Sequence, residues 1–114
     1  NIEVSFSDLP FNFPREIVLW GAGSISKKLI KQYGLDVRFF VSGLIEEDGR
    51  EFQRKKIYFY KSLKVKRIKN LLITIENLEV SVLGLIKKHL NVKNVFYTKV
   101  EYLEGCRQYS IIKF

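Results

Sequence analysis

The sequence predicts an α/β fold: an open, mainly parallel sheet of about five strands with helices on both faces. Short apolar runs of strand length alternate along the chain with segments whose apolar residues recur at helical spacing. Strands that alternate with helices tend to pair in parallel through right-handed crossovers, which place the helices against the sheet. This rule predicts the strand order 3-2-1-4-5, with strands numbered along the chain. The chain has 114 residues, which is the usual size of one domain.

The first unit is a strand followed by a glycine turn and a helix. Glu16–Trp20 is an almost continuous apolar run, which is typical of a strand covered on both faces. The helix is predicted from Ser24, as its N-cap, to Tyr33, and Gly34 provides a left-handed stop. Its apolar face consists of Ile25, Leu29, Ile30 and Tyr33. We expect this strand–turn–helix to open a Rossmann-like sheet.

The later elements continue the alternation. The other predicted strands are Asp36–Val41, Lys56–Tyr60, Leu71–Ile75 and Asn94–Tyr97. A second amphipathic helix is predicted over Leu78–Leu90, with Asn77 as its N-cap. Its last turn is basic, which suits the negative end of the helix dipole. Ser42–Arg50 is predicted to be a loop, and Ser62–Lys69 to form one or two helical turns.

Three segments are predicted along the chain. Residues 1–15 contain two prolines and three phenylalanines without periodicity, and we expect an irregular aromatic arm. Residues 16–98 form the α/β domain. Residues 99–114 form a C-terminal tail with a helical turn near Glu101–Leu103, leading into a further domain. The chain contains no methionine, so we expect it to be one piece of a longer protein.

Composition argues against several kinds of chemistry. The one cysteine, Cys106, cannot form an internal disulfide, which predicts a reducing cytoplasm and a partly buried structural thiol. Together with the single histidine, His89, it supplies too few ligands for a zinc site. No nucleophile with a base, and no other catalytic constellation, is visible in the sequence. No apolar run approaches the roughly 20 residues of a membrane helix, so no transmembrane segment is expected.

The glycine turn is the element that most suggests ligand binding. In Gly21–Ser24 two glycines permit a tight turn, and the following helix offers free N–H groups to a phosphate. Ser26 stands where the dinucleotide fingerprint has its third glycine, and Ser42 stands where it has a ribose-binding acid. Both departures disfavour NAD(P). Two interpretations stay open: a structural turn that binds no ligand, and a site for a different phosphate-bearing small molecule.

A family resemblance also suggests a nucleotide site. The segments Ile17–Ile30, Val37–Ser42, Leu71–Asn77 and Asn94–Tyr97 resemble the small Rossmann-like accessory domains of bacterial surface-polysaccharide and sugar-modifying proteins. The resemblance implies a bound nucleotide or nucleotide-sugar, within a larger polysaccharide-biosynthesis protein. The implied contacts are Gly21, Gly23 and Ser24 with the phosphates, Ser42 with the ribose or base, and Thr74 and Asn77 across the cleft.

Two other functions also fit the sequence. The first is a protein-interaction module with a vestigial ligand site, which docks through its aromatic arm and apolar C-terminus to a second copy or a neighbouring domain. The second uses Arg54–Lys69, where eight basic residues occur without an acid in a chain of net charge +8. Basic residues interleaved with aromatic ones can bind nucleic acid or an anionic surface. The simpler interpretation is that these basic side chains form a solvated rim of the domain, and nucleic acid is therefore a disfavoured partner.

Overall fold

A single mixed sheet organises the protein. The computed structural model describes residues 2–63, 67–75 and 80–114. The strands are β1 (Glu3–Phe6), β2 (Glu16–Trp20), β3 (Asp36–Ser42), β4 (Glu51–Phe52), β5 (Lys55–Phe59), β6 (Ile68–Ile73), β7 (Val92–Leu103) and β8 (Cys106–Lys113). Helix α1 (Ser24–Tyr33) follows β2, and helix α2 (Val80–His89) follows β6. Across the sheet the strands lie in the order β1-β8-β7-β6-β2-β3-β5-β4.

The predicted fold class is wrong. Within the described residues the sheet has eight strands rather than about five, and β4 and β8 run antiparallel to their neighbours β5 and β7. The described residues contain only two α-helices, of ten residues each. The protein is therefore mainly a mixed β-sheet and not a helix-rich, Rossmann-like α/β domain. The antiparallel pairing arises from hairpins, because a short turn can join only antiparallel strands.

The strands predicted from the sequence lie side by side within this sheet. β5, β3, β2, β6 and β7 are neighbours in that order and pair in parallel, which confirms the predicted strand order. Since these five strands point the same way, their carboxyl ends meet at one end of the sheet. We call this the carboxyl end, and the opposite one the amino end.

One helix packs on each face of the sheet. Leu29 of α1 is buried in one hydrophobic core with Ile17 and Leu19 of β2. Ile86 of α2 is buried in a second core with Val18 and Trp20 of the same strand. Neighbouring residues of β2 enter opposite cores because successive side chains of a strand point to opposite faces. The two crossovers therefore leave the middle of the sheet for opposite faces.

The terminal segments complete the sheet. Strand β1 lies in the predicted irregular arm and pairs in parallel with β8, and the Phe6 ring stacks on Tyr109 with centroids 5.4 Å apart. The predicted helical turn at Glu101–Leu103 is wrong, because these residues end strand β7. All three predicted segments contribute strands to one sheet, whereas a further domain beyond the tail stays a prediction.

Several element boundaries differ from the predicted ones. Gly34 ends α1 in the left-handed conformation, as predicted, with φ 61 and its N–H donating to the Ile30 carbonyl oxygen (2.9 Å). The N-cap is Gly23 rather than Ser24, and no side chain caps the helix. The helical turns predicted near Lys69 are wrong at their end, since β6 begins at Ile68. Residues 64–66, Asn77 and the predicted start of α2 lie outside the described residues.

Candidate functional site

The chain segments that follow β2, β3 and β6 meet at the carboxyl end of the sheet. The Gly21 N–H donates to the Val41 carbonyl oxygen (2.9 Å), and the Thr74 N–H donates to the Trp20 carbonyl oxygen (2.9 Å). Open parallel strands bind ligands outside their carboxyl ends, where successive crossovers leave for opposite faces. Here α1 and α2 pack on opposite faces, so that point lies between β2 and β6.

The inside of the glycine turn is filled by two hydroxyl groups. Gly21 has φ +115, and a Cβ at this position would lie 2.6 Å from Thr74 Oγ1. The Ser26 hydroxyl donates to the Gly21 carbonyl oxygen (2.6 Å), and its Oγ lies 2.6 Å from Thr74 Oγ1. Ser26 is fully buried and Thr74 is 5% exposed. These hydroxyls therefore fasten α1 to the end of β6 and do not face solvent.

The outer side of the turn is open. Gly23 and Ser24 are exposed, and among the described residues nothing lies within 4 Å of the position of a Cβ on Gly23. The first turn of α1 carries no acidic residue. The first N–H groups of an α-helix lack partners within the helix and form the positive end of its dipole. The turn thus presents hydrogen-bond donors and partial positive charge to solvent.

Ser42 lies at the end of β3, at the position where the dinucleotide fingerprint has a ribose-binding acid. Its side chain is buried, with 4% exposed. Its hydroxyl donates to Oε1 of Glu47 and accepts a hydrogen bond from the Leu44 N–H (3.0 Å). The 3-10 turn Ile45–Glu47 therefore returns a carboxylate to the end of the strand. The structure supplies an acid here, but from five residues further along the chain.

The loop that carries Glu47 is anchored to β5. The Phe59 N–H donates to Oδ1 of Asp48 (2.8 Å), and the Tyr60 N–H donates to the Ser42 carbonyl oxygen (3.0 Å). Glu47 is half-buried, whereas Glu46 beside it is exposed. The sequence places Glu47 in the predicted loop Ser42–Arg50 and gives it no role, because the fingerprint has its acid at the strand end. The available signal was the serine, whose hydroxyl commonly accepts the N–H of the residue two positions later and so reverses the chain.

The structure brings together most of the residues that the sequence singled out. Gly21, Gly23, Ser24, Ser42 and Thr74 all lie at the carboxyl end of the sheet, on three neighbouring strands or the turns that follow them. Asn77 lies outside the described residues.

No family model, curated protein or solved structure matches this chain. The resemblance to nucleotide-sugar-binding accessory domains therefore stays a prediction. The geometry at the carboxyl end of the sheet carries the functional argument by itself.

The basic segment Arg54–Lys69 does not form one surface in the part of the chain that the structure describes. Arg54 lies in the turn between β4 and β5, and Lys61 follows the carboxyl end of β5. Arg67 and Lys69 lie at the amino end of β6. A charge run that is continuous in sequence is thus divided between the two ends of the sheet.

Cys106 and His89 lie on separate elements. Cys106 opens β8 and is partly buried, as predicted, with Sγ 3.5 Å from Ser5 Oγ. His89 ends α2 within its basic last turn, and its ring centroid is 5.1 Å from that of Tyr60. Within residues 2–63, 67–75 and 80–114, no cluster of three His, Cys, Asp or Glu residues could hold a metal ion. No described helix is long and apolar enough to span a membrane.

Proposed function

We propose that this protein is a non-catalytic accessory domain that binds a nucleotide or nucleotide-sugar at the carboxyl end of its sheet. The observation that carries the proposal is the hydrogen bond from Ser42 to Glu47. It places a carboxylate at the end of β3, beside the exposed glycine turn that follows β2. A carboxylate for ribose and a helix N-terminus for phosphate are the two recognition elements that a nucleotide requires at such a position.

The glycine turn is the phosphate-binding part of the proposed site. Exposed Gly23 leaves room for a phosphate to approach the backbone, since no described atom occupies the space of its Cβ. The N–H groups at the start of α1 donate to the phosphate oxygens, and the helix dipole favours their negative charge. Thr74 is not among the ligand contacts in this proposal, because its buried hydroxyl is already engaged by the Trp20 carbonyl oxygen and the Ser26 hydroxyl.

Glu47 is the ribose-binding part. Its Oε1 accepts from Ser42, which orients the carboxylate while the remaining lone pairs stay available to ribose hydroxyls. The anchor from Asp48 to the Phe59 N–H holds the loop in place before a ligand binds. A preorganised acceptor loses less conformational entropy on binding, which favours affinity.

Calorimetric titration with the diphosphates of adenosine, uridine, cytidine and guanosine, and with UDP-glucose, tests the proposal. The nucleotide that binds best is then compared with its 2′,3′-dideoxy analogue. Glu47→Gln is expected to weaken the ribonucleotide about tenfold, the cost of losing a charged hydrogen bond. The same variant is expected to bind the dideoxynucleotide as the wild type does, because that ligand has no ribose hydroxyl.

Glu46→Gln is the matched control, since it removes the same charge from the same short turn at an exposed position. It is expected to retain wild-type affinity for both nucleotides. Absence of binding by every ligand at millimolar concentration contradicts the proposal. Equal losses from Glu46→Gln and Glu47→Gln contradict the role of Glu47.

A further inference from the structure

Basic side chains line a cavity at the amino end of the sheet. Arg38 of β3, Arg67 just before β6, Lys69 of β6 and Lys93 of β7 surround a space of about 240 Å³. A neighbouring cavity of about 400 Å³ shares Arg38 and Lys69 and adds Arg15 and the acidic Glu16 to its lining. The two cavities therefore form one continuous basic surface, which we call the amino-end basic cavity. It lies at the opposite end of the sheet from the glycine turn.

Strand register assembles this surface from residues that are distant in sequence. β6 and β7 pair in parallel with Ile68 beside Val92 and Asn70 beside Asn94, so Lys69 lies beside Lys93. Like charges directly opposite each other on neighbouring strands destabilise a sheet. The pairing therefore lowers the stability of the sheet, and an anion bound near the two lysines would offset that cost.

Little negative charge balances these cations within the described residues. Arg38 forms an ion pair with Glu16 (3.3 Å), in which the side chains are 53% and 60% exposed. No carboxylate among residues 2–63, 67–75 and 80–114 pairs with Arg67, Lys69 or Lys93. The cavity thus keeps a local excess of positive charge, which attracts anions from solution.

We propose that the amino-end basic cavity binds a compact ligand with two or more phosphate groups. Guanidinium groups bind phosphate oxygens in bidentate fashion, and the lysines add point charges on the same ligand. Among the described residues no aromatic side chain lines either cavity, so this part of the chain offers no stacking platform there for the bases of a single-stranded nucleic acid. This second site goes beyond the nucleotide site and does not depend on it.

Titration with inorganic tripolyphosphate tests the second site. The titration is done at about 0.1 M salt, an ionic strength that partly screens charges. Lys69→Glu/Lys93→Glu is expected to weaken binding roughly 30-fold, since two charge-assisted contacts become repulsive. The matched control is Lys27→Glu/Lys31→Glu, which reverses two exposed lysines on α1. Both double variants have net charge +4, from +8 less two for each reversal. The control is expected to retain wild-type affinity for tripolyphosphate.

Two further arms identify the source of the phosphates. Binding to vesicles that contain phosphatidylinositol 4,5-bisphosphate, lost in Lys69→Glu/Lys93→Glu, supports a lipid headgroup. Binding to free tripolyphosphate without vesicle binding supports a soluble ligand. Equal weakening by the two double variants, no binding in either arm, or binding to a DNA duplex alone overturns the proposal. Unchanged nucleotide affinity in Lys69→Glu/Lys93→Glu, with an unchanged circular dichroism spectrum, distinguishes this site from the nucleotide site.

Discussion

Gly21 opens the turn of the proposed nucleotide site, and both its backbone conformation and its packing require a glycine. Its φ of +115 lies in a region that L-residues rarely adopt, and its missing Cβ makes room for the Thr74 hydroxyl. Ser26 reaches the same point from α1 and hydrogen-bonds to the Gly21 carbonyl oxygen. The conformation of the turn is therefore fixed by buried contacts that do not involve a ligand.

Gly21→Ala is expected to lower the free energy of unfolding by about 2 kcal/mol, through backbone strain and overlap with a buried hydroxyl. Urea denaturation at neutral pH measures the change. Gly23→Ser is the control, because its side chain has open space at a helix N-cap, and a shift below about 0.5 kcal/mol is expected. Equal destabilisation by the two substitutions contradicts this account of Gly21.

At the scale of elements, α1 contacts the N-terminal segment through Tyr33. The phenol donates to the Ser7 carbonyl oxygen, and its ring meets Phe6 of β1 edge to face at 6.0 Å. Burial, and to a smaller extent the negative charge of Asp8, raises the pKa of Tyr33 above its ordinary value of 10.0. The contact therefore requires the protonated phenol.

The raised pKa of Tyr33 predicts a loss of stability in alkali. The folded protein keeps this proton at a pH where the unfolded chain has lost it, so stability falls as pH rises above 10.0. Below that pH the contribution is fully present. Urea denaturation between about pH 9 and about pH 11 is expected to show a smaller fall for Tyr33→Phe than for the wild type. Equal falls in the two proteins contradict the assignment.

The hairpin of β7 and β8 explains why the sequence misled on fold class. Residues 99–114 contain the alternating side chains of a strand. The strands predicted before them were all joined by helices or long segments, which favours parallel pairing and so a parallel sheet. Glu104 and Gly105 form the turn, Gly105 with φ 65, and the chain reverses to pair β8 along β7. The turn and the alternation were both visible in the sequence. The pairing of β1 with β8 was not visible, because these strands come from opposite ends of the chain and no turn joins them.

At the scale of the whole molecule, part of the net charge of +8 lies at the amino end of the sheet. Lys69 and Lys93 repel each other at the amino end of the sheet, and Arg38 and Arg67 line the same cavity. Repulsion among clustered charges opposes the compact state, and salt screens it. The folded protein is therefore expected to gain stability as ionic strength rises.

Thermal unfolding measures this effect. Raising NaCl from about 0.1 M to about 1 M shortens the screening length from roughly 10 Å to roughly 3 Å, and the midpoint of the wild type is expected to rise by a few degrees. Lys69→Gln/Lys93→Gln is expected to show a smaller rise, because neutral side chains remove the repulsion between the two strands. A rise of the same size in both proteins contradicts a local origin of the repulsion.

The sequence by itself determined the strand–turn–helix from Glu16 to Tyr33 and the order of the five parallel strands. These features depend on local periodicity, on turn-forming residues and on crossover handedness, all of which can be read from neighbouring residues. Only the tertiary structure decided the mixed sheet, the position of Glu47 beside Ser42 and the amino-end basic cavity. Each of these requires segments that lie apart along the chain to pack together, and the free energy that selects such pairings belongs to the whole molecule and not to any one segment.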